Sequence, residues 1–215
     1  MASIYKSLLH YLPEYLTQPS PPPAAAIMRY PKTPHDVYHV AFLLRQVTLP
    51  DLIPEILDLA EYWPKLSRSR QDQITYRENH NAGNRYVVAG VAGMTGPRMV
   101  RKIVFSVTSH DQGWCGDASA GSWTWFEAQV QLSYNQVPSE FTRIELFRNV
   151  TADRNYKTHE ITWSYDAEDD EERNLVLSLQ SGSVILVHPW ARFGGWVNHV
   201  SSASIEIYAA AVHKL

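Results

Sequence analysis

Beyond about residue 70, apolar residues recur at every second position, and this period constrains the architecture more than any other feature. In WTWFEAQV, Phe126, Ala128 and Val130 fall on one side, and Trp123, Trp125, Glu127 and Gln129 on the other, as successive side chains do along a strand. RKIVFSVTS repeats the pattern with Ile103, Phe105 and Val107. Further strands are predicted over 142–148, 158–165, 174–179, 183–188 and 203–211, most of them separated by Gly, Asn, Asp or Pro turn signals. The acidic run DAEDDEE at 166–172 reads as a solvated hairpin connection. With no helical pattern between the strands, a parallel α/β sheet is set aside. A mainly β fold is expected, an antiparallel β-sandwich of jelly-roll type.

The first 69 residues have the other period, so the expected division is 1–69, helices and a proline-rich linker, and 70–215, the sandwich. In SIYKSLLHYLPEYL, Ile4, Leu8, Leu12 and Tyr15 recur at near-helical spacing, and Pro13 ends or kinks the helix. QPSPPPAAA then reads as an extended linker. A second helix is predicted over 36–47 with Asp36 as N-cap. A third carries Leu52, Ile56, Leu59 and Trp63 on one face, capped by Asp51, with Pro54 in its first turn and Pro64 as its stop.

Composition narrows function by exclusion. Of 215 residues, 45% are hydrophobic and 19% charged, enough for a packed core, while a net charge of −3 gives no reason to expect nucleic acid. Cys115 is the single cysteine, which rules out an intramolecular disulfide and a cysteine-rich zinc site and suits a reducing compartment. No secretory leader or membrane-spanning window is evident, so a cytoplasmic location without a membrane partner is expected. The nine histidines show no HxH or HExxH spacing, and no metal site is assigned. GxGxxG before a helix, GxxxxGK[ST] and GxSxG are all missing, so no cofactor is expected.

Three stretches carry the polar and aromatic groups. In SHDQGW, His110 is a candidate hydrogen-bond donor or general acid/base, with Asp111 and Trp114 beside it. The competing reading is a turn in which Ser109 and Asp111 bond their own backbone and Trp114 plugs the sandwich end. Trp123, Trp125 and Glu127 share a strand face, which is either packed core or an aromatic platform with one carboxylate. WARFGGWVNHV places Arg192, Trp196, Asn198 and His199 in a structural corner or a second rim loop. His159 alternates with Ile161, Trp163 and Tyr165 and reads as a core histidine.

VRKIVFSVTSHDQGWCGD, GSWTWFEAQV and ARFGGWVNHVSSASIEIY, taken in that order, resemble a family of largely uncharacterised fungal proteins; LPDLIPEILDLAEYW is similar to its helical lead-in. The resemblance spans roughly 36–210. Cys115 and Gly194-Gly195 depart from its pattern, which has a small polar residue and Pro-Gly there. The C-terminal part is also similar, more loosely, to galactose-binding-like jelly rolls, including those attached to F-box motifs, and TLPDLIPEIL resembles the Leu-Pro start of an F-box.

Two functions follow as expectations. One is a small-organic-ligand site lined by aromatics, with cofactor-independent cyclisation, cycloaddition or isomerisation as its chemistry, by analogy with cofactor-free fungal natural-product enzymes. His110, Glu127, Arg192 and His199 are its catalytic candidates; Asp111, Trp114, Trp123, Trp125, Trp196 and Asn198 are its ligand-binding candidates. The other is a glycan- or protein-recognising module without catalysis. Homo-oligomerisation is left open.

Overall fold

The computed structural model describes residues 31, 33–78, 85–92, 99–132 and 143–211. The predicted helix over 3–16 and the linker after it lie outside the described residues. Two antiparallel sheets face each other. Their strands are β1 (Lys65–Arg70), β2 (Ile74–Arg77), β3 (Val87–Gly90), β4 (Val100–His110), β5 (Thr124–Gln131), β6 (Arg143–Arg148), β7 (Lys157–Ser164), β8 (Val184–Ala191) and β9 (Val197–Ala209). The first sheet runs β1-β9-β4-β7, with β2 also pairing β9; the second runs β3-β8-β5-β6. Lys65 pairs with Tyr208 and Arg77 with Val197, so β1 and β2 lie end to end along β9 as one interrupted strand. Counted that way, each sheet alternates between the two halves of the chain, which is the double Greek key of a jelly roll. The β-sandwich expected from the alternation is what the chain forms.

The alternation is also what fills the space between the sheets. Ile103, Phe105 and Val107 of β4 meet Phe126, Ala128 and Val130 of β5, with Ile185, Val187, Ile205 and Ile207 behind them; all are at most 1% exposed. Each buried Val, Ile or Phe among them stabilises the fold by roughly 1.5–3 kcal/mol relative to exposure. The pair α1 (Pro34–Leu44) and α2 (Ile53–Leu59) forms a separate small cluster around Val37, Ala41, Ile53 and Leu57. Asp58 ties it to the first sheet, accepting from the Arg101 guanidinium at 2.9 and 3.1 Å and from the Trp63 indole at 2.8 Å.

Five expectations are corrected. Residues 174–179 are not a strand: Asp170–Ser178 is a helix, α3. Asp169 caps it by accepting from the Glu172 backbone N–H at 2.9 Å, and Asp170, Glu171 and Glu172 fill its first turn. The acidic run is therefore largely a helix start, favoured by the helix dipole, rather than a hairpin connection. Val176 and Leu179 are buried and Leu175 packs against the core, a helical spacing that a short apolar run disguises. The N-cap of α1 is Thr33, and Asp36 closes the capping box by accepting from the Thr33 backbone N–H at 2.9 Å. In α2 the buried face is Ile53 and Leu57, while Leu52, Ile56 and Leu59 are 45%, 36% and 82% exposed. A one-residue rotation of the apolar stripe separates the two faces, and tertiary contact chooses between them. Lastly, β9 begins at Val197, so Asn198 and His199 stand in a strand and not in a rim loop.

Candidate functional site

The outer face of the second sheet gathers most of the chemistry. Trp125 of β5 lies opposite Trp190 of β8, Glu127 opposite His188, and Gln129 opposite Leu186. On the other side of β5, Arg148 lies opposite Trp125, Glu145 opposite Glu127 and Arg143 opposite Gln129. Because Phe126, Ala128, Ile185 and Val187 point into the core, these partners all project outward. The Trp125 and Trp190 rings are near-parallel, 9° apart in plane and 5.8 Å between centroids. The Trp125 indole donates to Glu127 Oε1 at 2.8 Å and so holds the carboxylate in place. Arg148 sits 5.2 Å from the Trp125 ring centroid and makes two bonds to Glu145, which neutralises the second carboxylate on the face.

Burial deepens toward the middle of this face. Trp125, Glu127, Trp190 and Arg143 are half-buried, whereas Gln129, Leu186 and His188 are 2%, 1% and 3% exposed. Gln129 Nε2, Arg143 Nε and Trp190 Nε1 are buried and make no hydrogen bond among the described residues.

Asn198 supports the face from behind. It lies between the sheets, fully buried, and its amide donates to the backbone carbonyls of Trp190 at 3.0 Å and Trp125 at 3.3 Å. Its Oδ1 accepts from Asn149, which also donates to Thr124 and accepts from Ser109. Expected as a ligand contact, Asn198 instead couples β9 to the two tryptophan-bearing strands. Asp111 is likewise spent on the fold: fully buried, it accepts from the backbone N–H groups of Gly113 and Ala152, each at 2.7 Å. The SHDQGW loop is thus an Asx-type turn at Asp111, while Ser109 donates to the Asn149 side chain rather than bonding its own backbone. Trp114 does not plug the sandwich end; it is 59% exposed and lies against Gly195.

The catalytic candidates do not converge. His110 and His199 are cross-strand partners on the outer face of the first sheet, with rings stacked at 4.5 Å and 17°. His110 also meets Tyr156 edge-on and bonds the Asp111 carbonyl, and His199 contacts Thr75 Oγ1 at 3.2 Å. Burial, then His110, lowers the pKa of His199. Glu127 faces outward from the opposite sheet, beyond an inter-sheet spacing of about 10 Å. Arg192 is exposed in the β8–β9 loop, over the Phe193 ring. Trp123 is half-buried and meets Phe193 edge-on at 4.7 Å, with Arg148 linking it to Trp125. Trp196 is half-buried within the same loop. The depression beside His110, lined by Val150, Asp153, Asn155 and Lys157, has no room for a water-sized group. Among the described residues no three His, Cys, Asp or Glu side chains cluster as a metal site, and no helix is long and apolar enough to cross a membrane.

Sequence reasoning missed His188, Trp190, Arg143 and Arg148 as site residues. HPW at the end of VILVHPWA was the available signal: His188 and Trp190, two apart, share a strand face. Only the register of β8 on β5 brings them to Glu127 and Trp125.

No protein-family model and no curated protein matches the chain, so the fungal-family resemblance rests on its motifs alone. Among solved structures the chain is similar to a xylan-binding module, CBM15, at 11% identity and a TM-score of 0.31, over 66% of this chain and 90% of that one.

Proposed function

We propose that the chain is a saccharide-binding β-sandwich whose site is the outer face of the second sheet. The observation that supports this reading is the near-parallel Trp125–Trp190 pair beside a carboxylate already oriented by an indole N–H. A sugar ring presents apolar C–H faces and a rim of hydroxyls. Tryptophan faces match the first, and a fixed carboxylate accepts from the second through charge-assisted bonds. Binding, rather than turnover, is the reading favoured. General acid–base chemistry needs its groups within hydrogen-bond reach of one reacting centre, and Glu127 stands on the opposite outer face from His110 and His199.

The test is retention on an array of immobilised oligosaccharides, followed by titration with the best-retained member. W125A and W190A should each lose about 2 kcal/mol, or about thirtyfold in Kd, as central aromatic anchors do. Both variants should melt within a few degrees of the parent, because each ring is half-buried on an outer face. Unchanged affinity in both folded variants would remove this face as the site.

A further inference from the structure

The same face has a surplus of donors. Gln129 Nε2, Arg143 Nε and Trp190 Nε1 are buried and unbonded among the described residues. Gln129 is only 2% exposed and lies directly opposite Arg143, whose guanidinium is 5.6 Å from the Trp190 ring centroid. Gln129 and Arg143 are thus cross-strand neighbours, and the guanidinium extends toward the Trp190 ring. The nearby carboxylates are engaged elsewhere: Glu145 holds Arg148 by two bonds, and Glu127 accepts from Trp125. Arg143 has no carboxylate within ion-pair distance among the described residues. Buried donors without acceptors are costly to the fold, and a guanidinium is a permanent cation.

We propose that the saccharide is acidic, with its carboxylate seated against the Gln129–Arg143 pair. This rests on the reading of the face as a saccharide site. A sugar hydroxyl both donates and accepts, so a set of donors alone has no preference for it. A carboxylate is acceptor-only, offers lone pairs to several donors at once, and pairs with guanidinium in fixed geometry. The sugar ring would then lie toward the tryptophans, leaving the free oxygen of Glu127 for a hydroxyl. The ligand's carboxylate and its hydroxyl would thus be recognised at separate points.

Matched pairs of oligosaccharides test this directly: glucuronate against glucose, galacturonate against galactose, and sialylated against asialo forms of the same chain. In the best-retained pair, the acid member should bind at least tenfold tighter to the parent protein, and the gap should shrink at high salt. R143M, confirmed as folded by its melting curve, should abolish the preference while still binding the neutral member; R143K should keep part of it. Equal affinity for acid and neutral members would overturn the acidic ligand and leave saccharide binding standing. A preference that survives in folded R143M would overturn the placement at Arg143. Retention of no saccharide at all would overturn the underlying reading as well.

Discussion

Asn198→Ala separates a structural asparagine from a ligand-binding one. The parent amide makes three hydrogen bonds across the gap between the sheets: to the carbonyls of Trp190 and Trp125, and from Asn149. At a net value of about 1 kcal/mol each, their loss sets a scale of about 3 kcal/mol. For a chain of this size that corresponds to a fall of about 6–12 °C in Tm. Asn198→Leu should fare little better, because it fills the space but leaves both carbonyls and the Asn149 amide short of a partner. Asn149 still reaches Thr124, so a double-mutant cycle with N149A should show a coupling of about 0.5–3 kcal/mol. The assay is equilibrium unfolding in urea, followed by tryptophan fluorescence and circular dichroism. A loss below about 1 kcal/mol, or unchanged stability with weakened saccharide binding, would refute the structural role and restore Asn198 to the ligand.

Asp111→Ala should cost about 2–4 kcal/mol, since it strips the acceptor from two backbone N–H groups; a melt that moves by less than a degree would contradict the turn. Gly113→Ala and Gly121→Ala both force alanine to a φ near +80°, at about 1–2 kcal/mol. Gly113→Ala should be the worse, because its Cβ would land 1.9 Å from Arg154 Cγ whereas Gly121 has open space around it; equal losses would show that Arg154 simply swings away. Leu57→Ala should destabilise by about 2–5 kcal/mol and Leu59→Ala by less than about 0.5 kcal/mol, and the reverse ranking would overturn the observed face of α2. His199 has a folded pKa below the ordinary value of 6.5, so its contribution to stability is full above that value and is lost as pH falls through it toward the folded pKa. H199Q should therefore flatten the decline in stability as pH falls below about 6.5, and an unchanged slope would place that decline elsewhere.

The sandwich was legible because alternation is a local property: Phe126, Ala128 and Val130 announce an inward face wherever the strand ends up. The outward face of β5, with Trp125 and Glu127, was legible for the same reason. The half on β8 was not, because Trp190 and His188 reach Trp125 and Glu127 only through a register between strands about sixty residues apart, which no local pattern encodes. The histidines misled for a related reason. His110 and His199 are indeed neighbours, but which outer face they occupy relative to Glu127 depends on how the sheets stack. Asn198 and Asp111 read as ligand candidates in the sequence because a polar residue looks alike there whether it serves a ligand or satisfies buried backbone; only burial and hydrogen-bond partners separate the two. In α3, four apolar or polar residues in a row, NLVL, fit either period, and the Asp169 cap decided it.

Saccharide binding across Trp125 and Trp190 would perturb both indoles. Indole N–H resonances of the seven tryptophans, assigned by single substitutions and followed by NMR during titration with the best-retained oligosaccharide, test it most directly. The Trp125 and Trp190 signals should move together and saturably, while those of buried Trp63 and Trp163 stay fixed. Movement confined to Trp114 and Trp196, with Trp125 and Trp190 unchanged, would place the ligand at the rim loops and contradict it.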